Sequence, residues 1–389
     1  MTQTQTTITH PTAAFREPLI PESGYTSSGL TPPSRRSREG KCRRQNSTLV
    51  RLTILRAKGE AIMHEEKSPQ ALPKVVLMTT GGTIGTAFDY SSRISGAELL
   101  SLATGAERFA RIEVDQADAR PSPVITPCEI IGLAKRVATH LARPEVAGIV
   151  VTYGTDAMDE FVYLLHLTIA SVKPVVVTGA MFHTKGPFPD GPRNLLHSVV
   201  TAASPDACGF GTMLVMNGAI HSAGEVIKVN AASIEAFASP KYGPIGMVEG
   251  DRAVFRRRPV LEPPFSGWEI EPNVDLIAAS VGMDNRFIEA SVAAGARGLV
   301  MMAMGGGALA GSMYQRLQEL AGGGFPVVIA TRCIRGSVVA RPRGDSQAWL
   351  FAAGDLPAHK ARIKLMLALA AIRHASPAEA RRILADRFA

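Results

Sequence analysis

The sequence predicts an α/β protein with a larger N-terminal parallel-sheet domain followed by a smaller C-terminal α/β domain, and three observations carry that expectation. Short apolar runs alternate with segments of helical periodicity, which favours parallel βαβ units. The 389 residues are 46% apolar and 20% charged, enough to bury one large core or two ordinary ones without disulfides or a structural metal. A turn-rich tract over residues 240–272 interrupts the alternation and reads as a separator of domains.

Residues 1–70 contain PTAAF, PESGYTSSGLTPPSRRSREG and the apolar stretch STLVRLTIL, with little regular periodicity, and are expected to be a disordered leader. The leader is basic and rich in Ser and Thr, as an organellar presequence is, but its acids and frequent prolines argue against that; Met63 as the physiological start is another reading. Order is expected to begin at KVVLMTTGGTIGT, where Val75 to Met78 suit a buried strand and Gly81 and Gly82 mark its sharp exit. Further strands are expected at Val146 to Thr152, Pro174 to Thr178 and Thr212 to Met216, with helices over residues 128–141 and 157–170. In the second helix Met158, Phe161, Leu164, Leu165 and Thr168 recur mostly at three- and four-residue intervals, and Asp159 and Glu160 fall in the first turn, whose positive end favours acids.

These elements give an N-terminal domain over residues 74–255, then a linker over 256–273 within the tract that holds KYGPIG, Arg256 to Arg258 and EPPFSGWEIEPN. Beyond it Val274 to Ala279, Gly298 to Met304 and Phe325 to Ala330 are strand candidates, with a helix from Arg286 to Ala296 between the first two. Helices near 358–373 and 377–388 complete a C-terminal domain over 274–389.

The formal charge of +8 is concentrated in the leader: residues 1–60 hold ten Lys or Arg against four Asp or Glu, and the remaining 329 residues carry only +2. Specific nucleic-acid binding is therefore not expected of the folded part. No apolar run reaches the roughly 18 to 20 residues of a membrane span, and the N-terminus lacks a charged segment leading into a secretory apolar core. Cys42, Cys128, Cys208 and Cys333 have none of the spacings of a zinc knuckle or redox dithiol, so reduced thiols and a cytoplasmic location are expected.

Two short segments carry candidate chemistry. Thr79 to Thr86, TTGGTIGT, sets several hydroxyls beside a flexible turn at a strand end. One of them is a nucleophile, or the hydroxyls merely satisfy backbone groups of a glycine turn. The segment matches neither the dinucleotide fingerprint nor the P-loop pattern, so no such cofactor is implied. Thr152 to Asp156, TYGTD, lies where a strand gives way to a helix, the place where open α/β folds take ligands. With Lys228 in HSAGEVIKVNAASIEAF it forms either a proton-transfer group or an ordinary buried ion pair. A lysine titrates near 10.4 unperturbed, burial lowers that value and a carboxylate raises it, so sequence leaves the protonation state open.

Through TTGGTIGT, VTYGTDAMDE, TGAMFHTKGPFPDGPRNLLHSV and VIKVNAASIEAF, in that order, the chain resembles the bacterial-type L-asparaginase/glutaminase family from about Lys74 to its end. GDLPAHKARIKLMLAL resembles that family's terminal segment. The resemblance implies hydrolysis of a side-chain amide by two Thr-centred clusters, without metal or organic cofactor. It implies Thr83 as nucleophile, a mobile-loop tyrosine at Tyr90, and a second cluster of Thr155, Asp156 and Lys228. It also implies substrate contacts from Ser122, which would receive the carboxylate, from Thr155, from Asp156, which would anchor the ammonium, and from Ala180. A homotetramer built from intimate dimers is the implied assembly, with a small amino-acid amide as substrate.

The chain departs from the family's pattern in several places. The segment between Thr83 and Tyr90 is shorter than in many relatives, and Pro123 stands where a glutamine often follows the serine. Gly305 to Ala308 replaces a region that usually holds a substrate-adjacent asparagine, and Pro342 falls near a position where a neighbouring subunit often supplies an acid, with Asp345 close by. His183 replaces part of an arginine-proline pair; a lone histidine is more often structural, and neither it nor His166, His197 or His221 completes a metal set with ordinary spacing. L-asparagine hydrolysis is the expected function. A glutaminase-asparaginase or a hydrolase of another small ω-amide is the alternative, and a sensor that binds an amide without turnover is the non-enzymatic one.

Overall fold

In the computed structural model each predicted apolar run of the N-terminal half becomes a strand of one sheet. The residues described are 71–86, 93–117, 120–338 and 349–388, all within one compact unit, Lys67–Ala389. The predicted leader, Tyr90, Pro342 and Asp345 lie outside the described residues.

The chain runs β1 (Lys74–Thr79), α1 (Gly96–Leu102), β2 (Arg111–Gln116), α2 (Pro127–Leu141), β3 (Val146–Thr152), α3 (Met158–Thr168), β4 (Val175–Thr178), α4 (Gly191–Ala203) and β5 (Thr212–Met216). Then come β6 (Ala219–Ser222), β7 (Ile227–Lys228), β8 (Phe237–Ala238), β9 (Gly246–Glu249) and β10 (Arg252–Phe255). Strands β2, β1, β3, β4 and β5 lie in that order and are all parallel. β1 reads as continuously apolar because the sheet is covered on both faces: Val76 and Met78 pack with residues of α2 and α3, while Val75 and Leu77 pack with those of α1 and α4.

The sheet is not parallel throughout. β6, β9 and β10 continue it as antiparallel strands beyond β5, so residues 246–255 of the turn-rich tract belong to the larger sheet. The reversal is made at Asn217-Gly218, a two-residue connection with φ of 49° and 80°. A turn with two left-handed residues matches the right-handed twist of the strands in a tight hairpin, and Asn-Gly is its usual sequence. α2 starts with a reciprocal cap: Thr126 Oγ1 accepts the Glu129 N–H, and a Glu129 carboxylate oxygen accepts the Thr126 N–H at 2.8 Å.

The C-terminal α/β domain has four parallel strands in sequence order, β11 (Val274–Ala278), β12 (Gly298–Ala303), β13 (Val327–Thr331) and β14 (Leu350–Ala352). Helices α5 (Arg286–Ala293) and α6 (Gly311–Gly322) link the first three, and α7 (Ala358–Ala371) and α8 (Pro377–Arg387) end the described chain. α7 is buried around most of its circumference, and its apolar residues join a core with those of α2 and α3. A helix buried on nearly every side belongs between layers, and the apolar residues of α7 share a core with residues of both sheets. No helix of the described residues is long and apolar enough to cross a membrane.

Candidate active site

Neighbouring strands β1 and β3 send their chains to opposite sides, β1 towards β2 and β3 towards β4, so a crevice opens beyond their carboxyl ends. Thr80 ties those ends together: its N–H donates to Thr152 Oγ1 at 3.3 Å and its hydroxyl to the Thr152 carbonyl at 2.6 Å. The turn after β1 then meets the turn after β3 through glycines. Gly82 has φ of 83°, and a Cβ built on it would lie 2.6 Å from the Gly154 Cα. A Cβ on Gly154 would in turn lie 2.6 Å from Ser122 Oγ. Glycine is needed at both places for three chain segments to converge.

Convergence produces a cavity of about 490 Å³ lined by Thr83, Ser122, Thr155 and Asp156, together with their glycine and proline neighbours. Thr83 opens a single 3₁₀ turn, Thr83–Gly85, which is held from outside: Thr86 Oγ1 donates to the Gly82 carbonyl at 2.9 Å and Thr184 Oγ1 to the Ile84 carbonyl at 2.7 Å. Among the described residues none hydrogen-bonds the Thr83 hydroxyl. Ser122 Oγ is buried at the cavity without a hydrogen-bond partner among them, an orphan that a ligand oxygen can satisfy.

Lys228, on the short strand β7, reaches the same place from another part of the chain. Its Nζ donates to Thr155 Oγ1 at 3.1 Å and to Asp156 Oδ1 at 2.8 Å. Thr155 is buried, the Asp156 side chain is two-thirds exposed, and the lysine head lies between them. A hydroxyl that accepts from an ammonium while a carboxylate neutralises that ammonium is a chain along which a proton can pass. A larger cavity of about 820 Å³ has charged walls that pair with each other, Arg257 with Glu225, Lys241 with Asp355 and Lys364 with Glu262. Six of its charged side chains are thus paired with one another.

The N-terminal asparaginase family model matches residues 74–261, and the glutaminase/asparaginase C-terminal domain model matches residues 273–384. The chain belongs to the asparaginase/glutaminase family. It is 34% identical over 312 residues to L-asparaginase 2 of Bacillus subtilis (strain 168), a match spanning 77% of this chain and 83% of that protein. Identity to the glutaminase-asparaginase of Pseudomonas fluorescens biotype A is 30% over 322 residues, covering 78% and 88% of the two chains. The crystal structure of a probable cytoplasmic L-asparaginase from Campylobacter jejuni is similar with a TM-score of 0.73 at 29% identity, covering 80% of this chain and 99% of that one. At the level of the family the activity is asparaginase/glutaminase amide hydrolysis.

Within this asparaginase-family frame, Thr83, Ser122, Thr155 and Asp156 line one cavity and Lys228 bonds two of them. Ala180 is buried beyond the end of β4 and is not among the residues lining that cavity. Its turn is fixed by two polar side chains of TGAMFHTKGPFPDGPRNLL: Asp190 accepts the Met181 and Phe182 N–H groups at 3.0 and 2.9 Å, and Asn194 Nδ2 donates to the Gly179 carbonyl at 3.0 Å. His183 stands in the cavity wall with Nδ1 3.3 Å from the Thr86 carbonyl oxygen. Among the described residues no group of His, Cys, Asp and Glu is arranged to hold a metal ion, and Cys128, Cys208 and Cys333 are exposed free thiols.

Arg93 and Arg120, which also line the cavity, were not legible as site residues. Their positions come from loop ends that carry no periodicity, and only the closed fold brings them to the crevice. Asp159 was legible only as a first-turn acid. It is buried, its Oδ2 accepts the Lys228 N–H at 3.2 Å, and it stands 3.1 Å from His359 Nε2. Burial works to raise its pKa, but the hydrogen bond and charge of His359, the Lys360 charge and the Lys228 N–H outweigh that and hold the carboxyl below its ordinary value.

The Gly154 contact gives a direct prediction. In Gly154→Ala the new methyl meets Ser122, so stability should fall by about 1–3 kcal/mol, as for other overpacked sites. KM for an amide substrate should rise more than kcat falls, because Ser122 is displaced while the Thr83 turn is not. Steady-state kinetics with a thermal melt on the same sample measure both effects.

Proposed function

We propose that this chain hydrolyses the side-chain amide of L-asparagine to L-aspartate and ammonia, with Thr83 as the nucleophile of an acyl-enzyme mechanism. The observation that carries the reading is the shared cavity in which the Thr83 turn meets Thr155 and Asp156, with Lys228 Nζ on Thr155 Oγ1. Thr83 Oγ attacks the amide carbon and its proton passes to the amide nitrogen, which leaves as ammonia. Water then adds to the β-aspartyl ester and Thr83 recovers its proton as L-aspartate departs. Thr155, Asp156 and Lys228 handle protons, with Tyr90 assisting. Backbone N–H groups of the Gly82 and Thr155 turns stabilise the oxyanion, a role suited to donors fixed by the fold.

In this reading Ser122 Oγ receives the substrate carboxylate and Asp156 the ammonium, so the two charges of an amino acid orient its amide at Thr83. Arg93 adds positive charge to the same walls, whereas the Arg120 guanidinium is paired with Glu129 at 2.8 Å. Masking the carboxylate as L-asparagine methyl ester should therefore lower kcat/KM by roughly 10- to 100-fold, since a hydrogen bond to a charged group contributes about 1.5–3 kcal/mol. Equal kcat/KM for ester and free acid would remove the carboxylate site.

The deciding experiment is a coupled assay of ammonia and amino-acid product with the full-length protein over L-asparagine, L-glutamine, D-asparagine and small ω-amides. L-asparagine is expected to give the highest kcat/KM. Pro123 in the cavity wall favours a second reading, a broader glutaminase-asparaginase or ω-amidase, because proline brings no amide side chain to the ligand. Higher kcat/KM for another amide would establish it. Binding without ammonia release would favour the sensor. The homotetramer of intimate dimers is proposed with this function, and native mass measurement is its test.

A further inference from the structure

A second lysine, Lys360 on α7, is fully buried although a lysine head ordinarily stays in water. Its Nζ donates to the Ala223 carbonyl at 2.6 Å and to the Val226 carbonyl, and lies 5.5 Å from the centre of the Tyr163 ring. Ala223 and Val226 belong to the turn between β6 and β7, so both carbonyls lie within five residues of Lys228 on its N-terminal side. Lys228 itself is gripped by its backbone: its N–H donates to Asp159 Oδ2 at 3.2 Å, and Asp159 Oδ2 is 3.1 Å from His359 Nε2. Neighbouring residues of one C-terminal helix thus hold the approach to Lys228 by carbonyls and, through Asp159, Lys228 itself by its amide.

We propose that Lys360 and Asp159, the latter fixed by His359, are positioning residues that set the reach of the Lys228 ammonium to Thr155 and Asp156. The proposal rests on the reading of Lys228 as part of the proton-handling group. Two features separate this arrangement from ordinary packing. An apolar side chain of similar length would fill the Lys360 site without leaving a buried charge to satisfy, so the charge there serves the two carbonyls. Asp159 spends its second oxygen on Lys228, after its first has accepted the Glu160 N–H at 3.1 Å in the opening turn of α3. The C-terminal domain thereby reaches the cavity without lining it.

The test compares Lys360→Met, His359→Leu, His359→Gln and Lys228→Met in the full-length protein, by kcat and KM for L-asparagine on folded, monodisperse samples. Hydrogen exchange of residues 223–229 is followed alongside. Misplacing a reacting group by about 1 Å costs on the order of 10²-fold in rate. Lys360→Met and His359→Leu should therefore lose roughly 10- to 100-fold in kcat, with KM changed less than about threefold and faster exchange of the Lys228 amide. His359→Gln, whose amide nitrogen can donate to Asp159, should return kcat to within about threefold of the parent. If Lys360→Met fails to fold, the His359 pair decides, because that side chain is one-third exposed. Unchanged kcat in folded Lys360→Met and His359→Leu, beside an impaired Lys228→Met, would overturn the positioning role alone. Full turnover by Lys228→Met would overturn both the role and the reading beneath it.

Discussion

Thr83→Ala is expected to lower kcat for L-asparagine hydrolysis by roughly 10⁴- to 10⁶-fold, the scale seen when an acyl-forming nucleophile is removed. The fold should be indifferent to the change. Thr83 is partly exposed at the cavity, no described residue hydrogen-bonds its hydroxyl, and the turn it opens is held by Thr86 and Thr184 instead. Alanine fits a 3₁₀ turn at least as well as a β-branched threonine. The comparison to make is single-turnover ammonia release against an unchanged thermal melt and unchanged ligand affinity. A folded Thr83→Ala protein that turns over at the parental rate would leave the acyl-enzyme mechanism without its nucleophile.

Lys228→Met should cost on the order of 10²- to 10⁴-fold in kcat, the range of a lost general acid–base group. The lysine head bonds Thr155 Oγ1 and Asp156 Oδ1, and methionine occupies similar space without donating to either. Asp156 is largely exposed, so water solvates the carboxylate left behind and the stability cost should be small. Thr155→Val is the companion variant: it keeps the shape at a buried position and removes the hydroxyl that links Lys228 to the cavity. The two losses should be far from additive, because each breaks the same chain of groups. A double variant whose kcat loss equals the product of the single losses would show that the residues act separately. Steady-state kinetics on the two single variants and the pair measure this directly.

Much of the frame was readable in one dimension. The runs at β1, β3, β4 and β5 are apolar because both faces of the sheet are covered, and that condition writes itself into consecutive residues. The helix at residues 157–170 appears as Met158–Thr168: its large apolar groups recur at helical spacing, although the fold buries it on nearly every side rather than on one face. β2 was missed. Its residues RIEVDQ mix charge and bulk because it is the edge strand, where Glu113 bonds Arg143 and Asp115 bonds Arg136 and His140. The Asn217-Gly218 turn carried a readable hairpin signal, and with it the antiparallel extension of the sheet.

The sequence by itself determined the two α/β domains, the resemblance to amide hydrolases, and the threonines, aspartate and lysine on which the chemistry is proposed to run. These are short-range facts: a periodicity, a glycine pair, a motif at a strand end. Only the tertiary structure decided that Thr83 and Thr155 share a cavity, that Arg93 and Arg120 join its walls, and that from the C-terminal domain Lys360 reaches the turn before Lys228 while His359 reaches the Asp159 that accepts the Lys228 N–H. The physical reason is distance along the chain. Contacts between residues more than a hundred positions apart, such as Lys360 with Ala223, follow from the order in which strands pair and from which helix is buried between the sheets. No local pattern encodes either.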